Sequence, residues 1–187
     1  GPSGVGKTSL LEVLLGFRTP DTGEVVVGEV PLPELDPAAW RAKIGYLPER
    51  PWLLPGSIAA NVRLGRPEAT DAEVERALSA ASALEFVDRL PAGIATSVGE
   101  DGAWLSGGER LRIGLARVFV ADPAVVLLDE PTAQLDPESE AAVLAALVRL
   151  ATGRTLVTVT HRTALLPEHD QVLQLADGRL RHPESVG

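Results

Sequence analysis

The sequence has no cysteine and no methionine, and only two of its 17 basic residues are lysine. Without cysteine, neither disulfide bonds nor thiolate metal sites can form. Acidic residues outnumber basic ones, and the net charge of −9 argues against a surface that binds nucleic acid. No apolar run is long enough to span a bilayer. The 187 residues, 45 % of them apolar, suffice for one globular domain with a sizeable core.

The first eight residues match the phosphate-binding loop pattern G-x-x-x-x-G-K-[ST] in full. In such a loop, backbone N–H groups converge on phosphate oxygens at a helix N-terminus. Lys7 is predicted to contact the β- and γ-phosphates of a nucleoside triphosphate, and the Thr8 hydroxyl to ligate Mg²⁺. The alternative is a glycine-rich turn that only caps a helix. The predicted nucleotide contacts of the loop are Gly1, Ser3, Gly4, Val5, Gly6, Lys7, Thr8 and Ser9.

The position of this loop indicates an N-terminally truncated domain. A phosphate-binding loop lies between a strand and a helix. The helix is predicted at residues 7–15, whereas the preceding strand is missing, and without methionine Gly1 is no translation start. We therefore expect the chain to be the C-terminal piece of a longer protein, with any membrane segment in the missing part.

The rest of the chain predicts an α/β core interrupted by a mostly helical insert. Periodicity and turn residues place the secondary structure. In the helix at 137–150, we expect Leu144, Leu147, Val148 and Ala151 to share one face. Strands are predicted at 24–28, 44–47, 125–128, 156–160 and 171–175, and further helices at 57–64, 71–81 and 84–90, with a Thr70–Glu73 capping box at the start of the helix at 71–81.

The apolar run at 125–128 ends in Asp129 and Glu130, a pattern typical of a buried parallel strand with carboxylates at its carboxyl end. Asp129 is predicted to hold Mg²⁺ from the side opposite Thr8. Glu130 is then placed to polarise an attacking water. The alternative is a solvated acidic turn, which would be favoured if the phosphate-binding loop were absent.

Residues 105–109, Leu-Ser-Gly-Gly-Glu, begin another helix whose buried face carries Leu111, Leu115 and Val118. Ser106 and Glu109 form a capping box, which needs no ligand to explain it. Gly107 and Gly108 are poor helix formers, however, and they expose N–H groups that could meet an anion. Local physics leaves both interpretations open.

The order of these segments resembles the nucleotide-binding domain of ATP-binding cassette (ABC) transporters over essentially the whole chain. Residues 1–8 resemble the family's Walker A motif, and 105–109 its LSGGQ signature with Glu in the last place. Residues 125–130 resemble Walker B with the catalytic glutamate. Ala133-Gln134-Leu135-Asp136 is similar to the D-loop, and His161 to the switch histidine.

The exporter branch of the family is the best match. Residues 96–102 resemble the loop that precedes the signature in ABC exporters, and 44–49, 56–58 and Asn61 are also similar to exporter segments. Exporters of this type fuse a membrane domain upstream. Residues 105–117 and 129–136 resemble the heterodimeric cysteine/glutathione exporters of cytochrome bd assembly.

The resemblance implies a P-loop NTPase with a RecA-like core at 1–49 and 117–187 and a helical subdomain at 50–116, all within one ABC ATPase domain. It implies ATP and Mg²⁺, and a catalytic set of Glu130, His161 and Lys7. The implied Mg²⁺ ligands are Thr8, Asp129 and Glu49. Further implied nucleotide contacts are Glu49, Ser106, Gly107, Gly108, Glu109 and Asp136.

The implied activity is ATP hydrolysis that drives export through an upstream or partner transmembrane domain, at the cytoplasmic face of the plasma membrane. Two such domains, alike or different, pair head to tail, and nucleic acid is not a partner. The excess of arginine over lysine suggests a GC-rich, bacterial genome. The alternatives are an ABC ATPase without a transport role and a degenerate cassette that binds ATP without hydrolysing it. One departure is Glu49, which stands where the family has Gln.

Overall fold

The computed structural model describes residues 6–161, 171–176 and 179–181. Gly1, Ser3, Gly4 and Val5 of the predicted phosphate-binding loop lie outside them. The helices are α1 Lys7–Leu14, α2 Pro37–Arg41, α3 Ile58–Arg63, α4 Asp71–Ala80, α5 Leu84–Asp88, α6 Gly107–Ala121 and α7 Pro137–Ala151; the strands are β1 Val26–Val27, β2 Val30–Pro31, β3 Ile44–Leu47, β4 Val125–Asp129, β5 Thr155–Val159, β6 Gln174–Ala176 and β7 Arg179–Arg181.

A three-stranded parallel sheet of order β3-β4-β5 forms the centre of the fold. Its middle strand, β4, is covered on both faces. Leu127 packs with Leu11 of α1 on one face, whereas Val126 and Leu128 belong to the larger core cluster on the other. Burial on both faces explains why β4 is a continuous apolar run.

Helix α6 is the central helix of the larger core, packed against α3, α4, α7 and β3. Its predicted buried residues Leu111, Leu115 and Val118 are each at most 3 % exposed. At Gly114 the helix backbone meets the loop after β3: an added Cβ would lie 2.8 Å from Pro51. Arg117 donates from Nη2 to the Trp52 carbonyl at 3.1 Å and ties the same loop to the helix.

The predicted helix starts are confirmed. Thr70 with Glu73 caps α4, and Ser106 with Glu109 caps α6, both as capping boxes. Asp136 caps α7 by accepting a hydrogen bond from the Ser139 N–H, with Pro137 in the first turn.

The predicted face of α7 is confirmed at Leu147, which is fully buried, and wrong at Val148, which is 55 % exposed. Leu144 and Ala151 are partly buried. The buried positions of the helix are Ser139, Val143, Ala146, Leu147 and Leu150. Apolar residues occur nearly all around this helix, so its periodicity does not fix which face is buried.

Two predicted strands are shifted or shortened. The strand predicted at 24–28 is only Val26–Val27, which forms an antiparallel hairpin with Val30–Pro31. Gly28 turns this hairpin with φ 65°. The strand predicted at 171–175 is Gln174–Ala176, paired with Arg179–Arg181. Within the described ranges, no helix is both long and apolar enough to cross a membrane.

Candidate active site

The candidate site lies where the carboxyl ends of β3, β4 and β5 meet the start of α1. Leu47 is in register with Leu128, and Asp129 with Val159. The residues that follow these strands therefore meet at one edge of the sheet, where ligands of α/β proteins bind. Gly6, with φ 101°, turns the chain into α1 in a backbone conformation that suits glycine.

Lys7 and Glu130 form an ion pair across this edge, with 2.5 Å between Nζ and Oε1, and each side chain is only 12 % exposed. Burial alone would raise the pKa of Glu130. The hydrogen bonds from Lys7 and from the His161 N–H, and the charges of both residues, outweigh burial and lower it. Glu130 is therefore a carboxylate at neutral pH.

Thr8 donates a hydrogen bond from Oγ1 to Oδ2 of Asp129 at 3.2 Å. Asp129 is 8 % exposed. Burial, followed by the negative charges of Glu130 and Glu49, raises the pKa of Asp129, although the Thr8 hydrogen bond opposes the shift. The folded protein thus holds this carboxylate where its charge is unfavourable, a setting in which a bound cation would stabilise it.

His161 holds the second oxygen of Glu130. Its Nδ1 lies 2.8 Å from Oε2, and its backbone N–H donates to the same atom at 3.2 Å. Glu130 itself has φ 47°, and its N–H donates to the Val159 carbonyl at 2.8 Å. Both carboxylate oxygens are engaged, one by Lys7 and one by His161, so the orientation of the side chain is fixed.

The oxygen donors at this edge fit Mg²⁺ that is shared with a substrate. No group of three or more His, Cys, Asp or Glu side chains among the described residues could hold a metal ion. Mg²⁺ does not require such a cage, because it binds through one or two carboxylates together with substrate phosphates and water. Thr8 and Asp129 would supply the hydroxyl and the carboxylate of such a site.

The residues that resemble the signature form a second cluster at the junction of α6 and α7. Ser106 Oγ accepts from the Glu109 N–H at 3.2 Å, and Glu109 Oε2 accepts from the Ser106 N–H at 2.8 Å. Gly108 packs so tightly on Ser139 that an added Cβ would lie 2.4 Å from its hydroxyl oxygen, whereas Gly107 has open space at that position. The close contact with Ser139 had no signal in the sequence.

Asp136 closes this cluster as the cap of α7, accepting from the Ser139 N–H at 3.0 Å. This bond, followed by the hydrogen bond from the Ser139 side chain, lowers the pKa of Asp136.

A cavity of about 370 Å³ lies between the loop after β3 and the two helix starts. Glu49 lines this cavity and accepts a hydrogen bond at 3.5 Å from Nε2 of Gln134, a residue for which the sequence predicts no role of its own. The structure does not place Glu49 in a metal cluster, and its role toward Mg²⁺ stays a prediction. The residues that line the cavity include Glu49, Arg50, Trp52, Gly107 and Gln134.

Comparisons with known proteins agree with this geometry. The family model described as ABC transporter matches residues 1–133. The chain is 43 % identical over 96 % of its length to the Mycobactin import ATP-binding/permease protein IrtB of Mycolicibacterium thermoresistibile, covering 31 % of that protein. It is 41 % identical, also over 96 %, to the ATP-dependent lipid A-core flippase of Bordetella pertussis, covering 29 % of it.

Among solved structures, a bacterial Atm1-family ABC exporter with ATP bound matches 96 % of the chain at a TM-score of 0.89 and 36 % identity, and 32 % of that protein is covered. The chain thus spans about a third of the length of these proteins. The match confirms the predicted P-loop NTPase fold and the resemblance to exporter-type cassettes. The chain belongs to the ABC transporter family.

Proposed function

We propose that this chain binds ATP with Mg²⁺ and hydrolyses it to drive export through a transmembrane domain. Membership in the ABC family implies ATP binding. The observation that carries the rest is the convergence of Lys7, Thr8, Asp129, Glu130 and His161 at one sheet edge, through contacts of 2.5 to 3.2 Å. These are the groups that phosphoryl transfer to water requires: a lysine, a hydroxyl, two carboxylates and an orienting histidine.

Lys7 and Thr8 bind the substrate in this proposal. The Lys7 ammonium contacts the β- and γ-phosphates, and Thr8 with Asp129 holds Mg²⁺, with Glu49 as a further ligand or sensor. When bound, Mg²⁺ supplies positive charge to the phosphate oxygens. Gly1, Ser3, Gly4, Val5, Gly6 and Ser9 complete the phosphate loop in this proposal.

Glu130 is the general base of the proposed reaction. Its ion pair with Lys7 lowers its pKa and so makes it a weak base. A phosphate that draws Lys7 away removes this effect, and the pKa of Glu130 rises toward that of a better base. His161, which holds the other oxygen, keeps the carboxylate oriented while it accepts a proton from water. Substrate binding and base strength are thereby linked.

Two such domains pair head to tail in our proposal, so that the signature cluster of one contacts the nucleotide bound by the other. Ser106, Gly107, Gly108 and Glu109 begin α6, and a helix N-terminus binds anions. Asp136 is next to them at the start of α7. The core at 1–49 and 117–187 then binds ATP in one copy, and the helical subdomain at 50–116 presents the signature to the other. The succession α3 to α5 after β3 supports a helical subdomain, whereas the proposed boundary at 116 falls within α6, which continues to Ala121.

Export is the direction that we propose, at the cytoplasmic face of a bacterial plasma membrane. The solved structure is named an exporter and the B. pertussis relative a flippase. The M. thermoresistibile relative is named for import. The exporter-type loop at 96–102 favours export.

The proposal is tested by ATP hydrolysis in the full-length protein, with Lys7→Ala and Asp129→Asn as the variants that should abolish it. ATP binding without turnover in the unmodified protein would favour a degenerate cassette. The complete gene provides the second test, since a transporter should carry several apolar spans upstream. A complete gene without such spans, and without a partner that has them, would favour an ABC ATPase with no transport role.

A further inference from the structure

We propose that Gln134 is a positioning residue that holds the Glu49 carboxylate beside Asp129 and Glu130. This inference rests on the ATP-binding function proposed above. Gln134 is an exposed residue of the segment between β4 and α7. It contacts two neighbours in the loop after β3, which lies 84 and 85 residues earlier in the chain.

The amide of Gln134 uses both of its ends. Nε2 donates to Oε1 of Glu49 at 3.5 Å, and Oε1 accepts from Nη2 of Arg50 at 3.4 Å. An amide has both a donor and an acceptor, so it can serve a carboxylate and a guanidinium at once, which neither a carboxylate nor an ammonium can do. Gln134 also has φ 59°, a conformation rare in residues other than glycine.

The sheet register explains why Glu49 needs such a partner. Leu47 and Leu128 are paired in the parallel strands, and Glu49 and Glu130 each follow two residues later. Glu49 thus joins Asp129 and Glu130 at the same edge, which brings three carboxylates together there. Like charges repel, so the exposed side chain of Glu49 would move farther from this edge if nothing restrained it.

Gln134 is itself fixed relative to Glu130. The Ala133 N–H donates to the Glu130 carbonyl at 3.0 Å and closes the intervening turn. Two residues after Gln134, Asp136 caps α7. The amide therefore aligns the loop of Glu49 with the proposed base, and a shift of one loop is transmitted to the other.

The first experiment measures ATP affinity against free Mg²⁺ in the full-length protein. A carboxylate near the triphosphate raises the Mg²⁺ requirement, so Glu49→Gln should lower it. Gln134→Ala should lower the Mg²⁺ midpoint in the same direction, by roughly two- to fivefold, the usual coupling of a surface hydrogen-bonded pair. In a Glu49→Ala background, Gln134→Ala should change nothing. Gln174→Ala, the same substitution at an exposed glutamine on β6, is the matched control.

The second experiment exchanges the two groups. Gln134→Glu alone places two carboxylates next to each other. The double variant Glu49→Gln with Gln134→Glu again pairs one amide with one carboxylate and has the net charge of the unmodified protein. Hydrogen exchange of residues 47–54 should rise by about threefold or more in Gln134→Ala and Gln134→Glu, and return toward the parent value in the double exchange.

The results separate the possible failures. If the unmodified protein does not bind ATP, the proposed function itself is refuted, and this result does not depend on any variant of Gln134. Equal Mg²⁺ shifts with and without the Glu49 carboxylate, or no shift at all, overturn the positioning role. Faster exchange with an unchanged Mg²⁺ midpoint also overturns it, because the bridge is then structural only. A shift that depends on Glu49, together with rescue by the double exchange, supports it.

Discussion

Glu130→Gln should strengthen ATP binding and stop turnover. In this structure the Lys7 ammonium is held by the Glu130 carboxylate at 2.5 Å, with both side chains 12 % exposed. A triphosphate has to compete for that ammonium and also meets the negative charge of Glu130. The substitution keeps the shape of the side chain but removes its charge, so both obstacles weaken.

The magnitude follows from the burial of the pair. An exposed ion pair is worth about 0.2–1 kcal/mol, and in a mostly buried pair the stronger attraction between the charges is largely offset by the cost of removing them from water. With about 1–2 kcal/mol of competition removed, ATP affinity should rise by roughly five- to thirtyfold, since 1.4 kcal/mol is a factor of ten. Loss of the general base should lower kcat by roughly 10²–10⁴-fold.

The assay is equilibrium ATP binding and steady-state hydrolysis by the full-length protein, each with Mg²⁺ in excess. Glu138→Gln is the matched control, because Glu138 is an exposed carboxylate in the first turn of α7. It should change neither quantity. Turnover within a few-fold of the unmodified protein would show that Glu130 is not the base, and unchanged ATP affinity would show that the ion pair does not compete with substrate.

Three further predictions concern other residues. Asp129→Asn should raise the Tm at pH 7 while abolishing hydrolysis, because the raised pKa of Asp129 means that its charged form costs folding stability. The gain in Tm should shrink as the pH falls and the Asp129 carboxyl of the unmodified protein becomes protonated. A lower Tm of the variant at pH 7 would contradict this. Gly108→Ala should lower the free energy of unfolding, measured in denaturant, by about 1–3 kcal/mol, because its Cβ would lie 2.4 Å from the Ser139 hydroxyl oxygen. Gly107→Ala should cost less, because its Cβ would meet open space. Equal losses of unfolding free energy in the two variants would contradict the packing argument. A mixed dimer of one Lys7→Ala and one Ser106→Arg subunit should keep ATPase activity, since one composite site then carries both lesions; complete loss, with each wild-type pairing still active, would count against head-to-tail pairing.

Local motifs carried most of what the sequence could predict about the site. Lys7, Asp129 and Glu130 stand at a helix start and at a strand end, and sequence alone shows both. The capping boxes at Thr70 and Ser106 are equally local, because their partners are three residues away. The paired lysine and glutamate, by contrast, lie 123 residues apart, and only the sheet brings them together.

The contacts that sequence did not predict depend on register and packing. Gln134 contacts Glu49 because β3 and β4 are paired with Leu47 opposite Leu128. The sequence of one strand does not determine its register with another, so this contact could not be predicted. The buried face of α7 was placed wrongly at Val148 because every position from Ala141 to Ala151 except Arg149 is apolar. The finer resemblance to cysteine/glutathione exporters stays a prediction.

The close approach at Gly114 couples helix α6 directly to the loop after β3. The helix backbone at Gly114 packs against Pro51 with no side chain between them, and Arg117, three residues later, donates a hydrogen bond to the same loop. Eight residues separate Gly114 from Ser106, an arm of about 12 Å at 1.5 Å per residue. A tilt of about 10° around Pro51 therefore swings the Ser106 end by roughly 2 Å, enough to make or break a hydrogen bond. A displacement of the loop after β3 would therefore act on α6 directly, at Gly114 and Arg117, and would be expected to move the Ser106 end of the helix as well.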